Sequence, residues 1–262
     1  MLSPSHEAAR PRALILAAGV GRRLGGEAAG DGSVIAHRPK ALLEFAGRTL
    51  MARHVAMLRG AGVTAITVVV GFEAEAMQAA LAELTDGPAV AVAFNPDFRE
   101  GSVVSLWAGR EVLRSGGPVI LMDADVLYDA RLMARLVDSA LPDCLLLDRR
   151  IEPGDEPVKL CVKDGRIVDF HKRPRVAHDW HGESVGFFRF SAATAWELAD
   201  RACAYVASDR RRMEYEEPIR DMILDSPPDR FGFEDITGLP WTEIDFPQDV
   251  AKARGLLAEL VA

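Results

Sequence analysis

The sequence predicts an α/β fold, a mostly parallel mixed sheet flanked by helices. Two observations carry this. Up to Arg149, short apolar and β-branched runs alternate with stretches whose apolar residues recur at helical spacing, at intervals that suit βαβ units. The first run, Ala13-Leu14-Ile15-Leu16, ends directly on a glycine-rich polar loop, as a strand buried on both faces of a parallel sheet does.

Taken in order, Ala13–Leu16 is the first strand and Gly19–Arg38 a polar loop. Leu50, Met51, Val55 and Leu58 recur at helical spacing between Thr49 and Leu58 and stop at Gly60 and Gly62, which marks the first helix. Thr64–Val70 is a β-branched strand, Glu73–Leu84 a second helix, and Val90–Phe94 a strand ending at Asn95-Pro96. Ser102–Leu113 reads as a helix capped by Ser102, Pro118–Met122 as a strand, Ala130–Ser139 as a helix and Cys144–Leu147 as a strand. Near Arg149 the rhythm changes. Lys163-Asp164-Gly165 is a hairpin turn between Val158–Val162 and Arg166–Phe170. Ser184–Phe190 is another strand, followed by helices near Ala192–Tyr205 and Arg212–Leu224. Trp241–Asp245 is a late strand, and Pro247 begins a closing helix at an early position, where proline is tolerated. One domain is expected, with a first half at about 12–148 and a lid plus closing elements at about 149–262.

The chain has 262 residues and a formal net charge of −8. That length suits one large α/β domain with a substantial core. The acidic balance argues against nucleic-acid binding, which leans on basic patches, but leaves room for a local basic site that takes a small anion. Cys144, Cys161 and Cys203 are odd in number, widely spaced and free of a C-x-x-C, so they are read as reduced and structural. No apolar run is long enough to span a bilayer, so no membrane insertion is expected. The polar Met1–Arg12 segment lacks the apolar stretch of a signal peptide. A cytoplasmic location is the resulting expectation, and room is left for a homodimer.

Gly19 and Gly21 let backbone N–H groups approach a polyphosphate. Taken alone, Gly-x-Gly also reads as a plain tight turn. It is neither a Walker A loop, lacking Gly-Lys-Ser/Thr, nor a dinucleotide fingerprint, lacking the third glycine. Arg22, Arg23 and, past the loop, Lys40 after Pro39 supply the cations that a triphosphate or departing pyrophosphate needs. One of the two arginines is expected to be a solvated surface residue. Asp123 and Asp125 follow an apolar strand, at the carboxyl edge where an open parallel sheet binds ligands. At i and i+2 they face one side and suit a hard cation such as Mg²⁺. Asp125 is read as a metal ligand rather than a helix cap, and Asp123 as a ligand or as a partner behind one.

Leu16-Ala17-Ala18-Gly19-x-Gly21-x-Arg23-Leu24, then Pro39-Lys40-Ala41-Leu42-Leu43, Gly47-Arg48-Thr49-Leu50, Leu121-Met122-Asp123-Ala124-Asp125 and Glu243-Ile244-Asp245-Phe246-Pro247 run through nearly the whole chain. In this order they resemble the sugar-phosphate and choline-phosphate nucleotidyltransferase superfamily. The resemblance implies a Rossmann-like sheet with a small β/α acceptor-binding lid. It implies that Leu16, Ala17, Ala18, Gly19, Gly21 and Arg23 hold the nucleotide, with Gly101 and Ser102 on the same side. It makes Lys40, with Arg23, the catalytic cation at the phosphates, and Asp245 the second metal ligand beside Asp125. Glu243 is expected to pair with a base, and Asp249 to stabilise a helix N-terminus. The segment Gly25–Arg38 is longer than the family's usual loop and reads as a lid over the triphosphate or an inert insertion.

Within the superfamily the chain looks most like small-alcohol-phosphate cytidylyltransferases. Asn95-Pro96-x-Phe98, Ser105-Leu106-Trp107, Gly182-Glu183-Ser184 and Tyr215-Glu216 resemble acceptor-side motifs. The implied acceptor set is Lys40, Ser105, Lys159, Lys172, Trp180, Glu183, Tyr215 and Glu216. Trp180 is read as the aromatic most ready to meet a ligand, in a polar loop between His178 and His181. That histidine pair is expected to be exposed rather than metal-binding. Glu100-Gly101-Ser102 stands where phosphocholine enzymes carry an Asn pair, which weakens choline as the acceptor. The expected reaction is transfer from CTP, with Mg²⁺, to phosphocholine, 2-aminoethylphosphonate or an inositol phosphate, releasing pyrophosphate. The alternatives are a hexose-1-phosphate nucleotidyltransferase using UTP, GTP or dTTP, and a non-catalytic nucleotide-binding regulatory subunit.

Overall fold

A computed structural model describes residues 10–25, 38–151, 154, 156–227 and 229–260, the side chains of residues 22 and 25 excepted. The strands are β1 (Arg12–Leu16), β2 (Glu44–Phe45), β3 (Arg48–Thr49), β4 (Ile66–Val70), β5 (Ala91–Phe94), β6 (Val119–Asp123), β7 (Val126–Tyr128), β8 (Cys144–Asp148), β9 (Lys159–Lys163), β10 (Arg166–His171), β11 (Trp180–Phe190), β12 (Gly232–Asp235) and β13 (Trp241–Glu243). The helices are α1 (Leu50–Gly60), α2 (Ala74–Ala82), α3 (Ser102–Ala108), α4 (Arg110–Leu113), α5 (Ala130–Asp138), α6 (Ala192–Ala207), α7 (Glu216–Asp225) and α8 (Pro247–Leu256).

The main sheet runs β10-β9-β11-β6-β1-β4-β5, with β8 paired to β11 and to β12. β1 is parallel to β4 and β6, and β4 to β5. β11 is antiparallel to β6, β8 and β9, so the second half of the chain extends the same sheet. Side chains alternate between its faces as strand periodicity requires. Ala13 and Ile15 join Val55 of α1, Met77 of α2 and Leu132 of α5 in one core, while Leu14 joins Leu106 of α3, Leu198 of α6 and Ile219 of α7 in the other. Each such fully buried aliphatic stabilises the fold by roughly 1.5–3 kcal/mol. A third cluster, with Leu24, Leu50, Leu127 and Ile244, seats α8 beside the loop after β1. Among the described residues, no helix is long and apolar enough to cross a membrane.

The expected mixed sheet flanked by helices is the observed one. Asp164 and Gly165 both take positive φ, 49° and 74°, as a two-residue hairpin turn between β9 and β10 demands. Four details differ. Gly101, not Ser102, is the N-cap of α3, because the Ser102 hydroxyl is engaged by the Tyr215 N–H instead. The helix expected at Ser102–Leu113 breaks at Gly109. The helix expected from Arg212 begins at Glu216, since the carbonyls of Arg211 and Met213 turn inward to accept from Gly101 and Val103. β11 begins at Trp180, four residues before the expected start. The three free cysteines lie at Cys144 and Cys161, both buried, and Cys203, partly so. Most of the long segment Gly25–Arg38 lies outside the described residues.

Candidate active site

Parallel pairing sets Leu16 beside Asp123, so the loop after β1 and the acids after β6 share one sheet edge. Over this edge lies a cleft of about 450 Å³. The start of the loop is pinned to the end of β4: Ala17 N–H donates to Val69 O at 2.9 Å, and Phe72 N–H to Ala18 O at 3.1 Å. Leu16, Ala17, Ala18, Gly19, Gly21 and Arg23 all line the cleft.

The acids converge because β7 and β13 pair antiparallel, with Ile244 N–H donating to Asp125 O at 2.9 Å. That register brings one oxygen each of Asp125, Glu243 and Asp245 within 4.8 Å of one another. Asp249 fixes the turn that follows, accepting from the Asp245 and Phe246 N–H groups at 2.9 and 2.7 Å. Three carboxylates at this separation form the hard oxygen donor set a divalent cation takes. Lys40 lies among them, its Nζ 2.8 Å from Asp125 Oδ2 and 2.5 Å from Asp245 Oδ1. Burial works against the ammonium, but the two aspartates outweigh it and hold Lys40 above its ordinary range. Arg23 bridges Asp245 at 3.1 Å and Glu156 at 2.8 Å. Glu243, exposed to solvent on one side, is held above the usual carboxylate range by its place in the cleft wall and by the charges of Asp125 and Asp245.

Across the cleft, Tyr215 donates its hydroxyl to Asp123 Oδ2 at 2.7 Å and its N–H to Ser102 Oγ at 2.8 Å. This stitches the start of α7 to both β6 and α3. Gly186, at φ 76°, bends β11 here, and a Cβ on it would fall 2.1 Å from Asp123 Oδ2, so only glycine lets the two strands meet with the aspartate between them. Burial, then the charges of Asp125 and Glu216, push Asp123 up, against the pull of the Tyr215 hydroxyl. Lys172 pairs with Glu214 at 2.9 Å and lies 3.7 Å from Glu156. Ser105 Oγ accepts from Asn95 Nδ2 at 3.0 Å, which joins the two acceptor-like segments of the sequence. Behind the acids, the fully buried His54 has its Nε2 3.0 Å from Ala124 O, the carbonyl between Asp123 and Asp125.

The family described as the MobA-like NTP transferase domain matches residues 13–166, more than half of the chain. The chain belongs to this family. A CMP-5'-(3-aminopropyl)phosphonate synthase of Streptomyces rubellomurinus is 27% identical over 254 residues, covering 92% of this chain and 38% of that protein. The chain spans about half the length of the other curated relatives it matches. Two solved structures share the fold. The CTP:phosphocholine cytidylyltransferase of Streptococcus pneumoniae superposes with a TM-score of 0.72 at 21% identity, covering 95% of this chain and 99% of that one. The inositol-1-phosphate CTP transferase of T. maritima gives 0.74 at 19% identity, covering 97% and 99%.

For a MobA-like NTP transferase, the cleft collects most of the residues the sequence singles out. Lys40, Gly101, Ser102, Ser105, Asp125, Lys172, Glu183, Tyr215, Glu216 and Asp245 line it with the loop after β1. Lys159 and Trp180 do not. Lys159 turns away, its Nζ donating to the Lys172 carbonyl at 2.9 Å and tying the loop after β10 to β9. Trp180 lies in β11 rather than in a polar loop, edge-on to Phe233, with the Arg149 guanidinium 4.1 Å over its ring. His178 and His181 are half-buried and lie 3.1 Å apart, Nε2 to Nδ1. Glu243, expected to pair with a base, lies beside Asp125 and Asp245 and within reach of the charges of Lys40 and Arg23. The usable signal was its i, i+2 spacing to Asp245. Glu156 and Glu214, the partners of Arg23 and Lys172, carried no signal in the sequence.

Proposed function

We propose that the chain transfers a cytidylyl group from CTP to the phosphate or phosphonate of a small alcohol or amine, uses Mg²⁺, and releases pyrophosphate. The observation that carries this reading is the meeting of Arg23, Lys40 and three carboxylates at the end of the loop after β1, with a third cation, Lys172, in the same cleft. Family membership supports nucleotidyl transfer. The relatives and neighbours that use CTP or make a CMP-linked product support cytidine and a small acceptor. On this reading residues 12–148 handle the nucleotide, and residues 149–262 supply most of the acceptor wall and the closing elements.

The acceptor oxygen is already ionised, so no general base is needed. It attacks the α-phosphorus in line. A new P–O bond forms as the bond from the α-phosphorus to the bridging oxygen breaks, and that oxygen leaves on pyrophosphate. Arg23 and Lys40 neutralise charge on the phosphates, and the walls hold the two reactants in line. Asp125 and Asp245, with Glu243 beside them, are the residues that hold the divalent ion. When bound, the ion supplies further charge neutralisation at the phosphates. Lys40 therefore exchanges its two aspartates for phosphate oxygens as nucleotide enters. Ser105, Lys172, Glu183, Tyr215 and Glu216 form the acceptor wall.

The test is pyrophosphate release with CTP, UTP, GTP, dTTP and ATP, each against phosphonate, phosphocholine, inositol phosphate and hexose phosphate acceptors. CTP should be turned over fastest with a small non-hexose acceptor, and Asp125→Ala should lose at least about 100-fold in rate. Full activity in that variant would remove Asp125 from the metal site, and preference for another base would remove CTP.

A further inference from the structure

On the acceptor wall, Glu216 opens α7 and lines the cleft. Its Oε2 is fully buried and has no hydrogen-bond partner. A buried carboxylate oxygen without a donor is destabilising, and the residue that carries it lines the cleft. The cations nearby are already engaged. Lys172 is held by Glu214 at 2.9 Å, Lys40 by Asp125 and Asp245, and Arg23 by Asp245 and Glu156. Asp123, on the same wall, has its Oδ2 taken by Tyr215. The charge of Lys172 reaches Glu216, but its ammonium is bonded to Glu214, so Glu216 Oε2 is left without a donor.

We propose, on the basis of the transfer reading above, that the acceptor carries a protonated primary amine and that Glu216 receives it. An ammonium brings up to three N–H donors and a positive charge to the oxygen that Lys172 leaves without a hydrogen bond. A quaternary ammonium has no N–H and needs aromatic faces instead. The cleft has few to offer. Phe170 and Tyr215 are buried and meet the Phe188 ring edge-on, at 5.9 and 6.2 Å. Phe98 packs on Phe72 and under the Arg99 guanidinium. The tryptophans lie elsewhere: none of the four lines the cleft. A neutral polyol would fill the space but leave the carboxylate uncompensated.

Three phosphonates that differ only at the amine decide the matter: 2-aminoethylphosphonate, its N-trimethyl counterpart and ethylphosphonate. Each is used with CTP and Mg²⁺, beside inositol phosphate. The primary amine should exceed all the others in kcat/KM by at least tenfold. Glu216→Gln should raise KM for the amine by at least tenfold while leaving KM for CTP unchanged, which also reports that the variant is folded. Equal or better turnover of the trimethyl compound, of ethylphosphonate or of inositol phosphate would overturn the amine inference and leave the transfer reading standing. An unchanged KM for the amine in Glu216→Gln would remove Glu216 from the recognition. No pyrophosphate with any acceptor would overturn the transfer reading and this inference with it.

Discussion

Lys40 holds together two aspartates that would otherwise repel, at 2.8 and 2.5 Å. Any divalent ion that enters must first displace this ammonium. Lys40→Met should therefore bind free Mn²⁺ at least about tenfold more tightly than the parent, read by electron paramagnetic resonance without nucleotide. It should also lose about 100-fold or more in pyrophosphate release. Unchanged or weaker Mn²⁺ binding would mean that the lysine does not compete for the acids. His54 makes a second prediction. Burial depresses its imidazole to about 4, against an ordinary 6.5, despite the Ala124 carbonyl and the Asp125 charge. The unfolded chain thus takes up a proton that the folded chain refuses, so stability is lost as pH falls from about 6.5 to about 4. The loss is on the order of 3 kcal/mol. His54→Gln keeps a donor for Ala124 O but cannot titrate. Its urea midpoint should fall less steeply over that window, and parallel pH profiles would discount His54. At this scale the sequence reads well where contiguous motifs mark residues that the fold brings together, as with Arg23, Lys40, Asp125 and Asp245. It reads poorly where a role is set by distant chain. Nothing local to Glu243 reveals that Asp125 will lie beside it, and nothing local to Trp180 reveals Phe233.

Among the elements, α7 matters most to the proposed acceptor wall, because Tyr215 and Glu216 stand at its start. Its anchor is Asp169, fully buried in β10. Asp169 accepts from Arg220 Nε at 2.7 Å and from the N–H groups of Phe170, Arg175 and Val176 at 2.9, 2.9 and 3.2 Å. Burial alone would raise this carboxyl, but Arg220 and the backbone donors outweigh it and hold it low. Asp169→Ala strands the Arg220 guanidinium and three amides, and should cost about 3–5 kcal/mol in urea unfolding at neutral pH. The cost should shrink as pH falls through the depressed range, where the parent loses the same charge. A change under 1 kcal/mol would show that the helix is held by apolar packing alone. The long, strongly patterned elements were legible. β7 is three residues long and β12 opens on a glycine, so neither offers enough alternation to be read. Each exists only because a partner strand, β13 or β8, supplies its hydrogen bonds.

For the whole molecule, the fold class was legible because apolar period and strand–helix alternation are global properties that survive errors at any one boundary. The change of rhythm near Arg149 marks the turn from parallel to antiparallel pairing within one continuous sheet, since β11 bonds to β6, β8 and β9. Unfolding should therefore be a single transition, with coincident midpoints by tryptophan fluorescence and far-ultraviolet circular dichroism. Two separated transitions would mean that the half after Arg149 is held more loosely than its pairing suggests.

The acceptor wall has a consequence for how such a protein can diversify. On the reading proposed above, Ser105 comes from α3, but Lys172 follows β10, Glu183 lies in β11, and Tyr215 and Glu216 stand at the start of α7, all beyond residue 170, whereas the loop after β1 and Lys40 come from the first 40 residues. On that same reading, new acceptors can thus be explored at these late positions while Arg23, Lys40, Asp125, Glu243 and Asp245 are left alone. For an engineer this separates two searches. A library at residues 183 and 216 varies what receives the nucleotide, and the early loop can stay fixed.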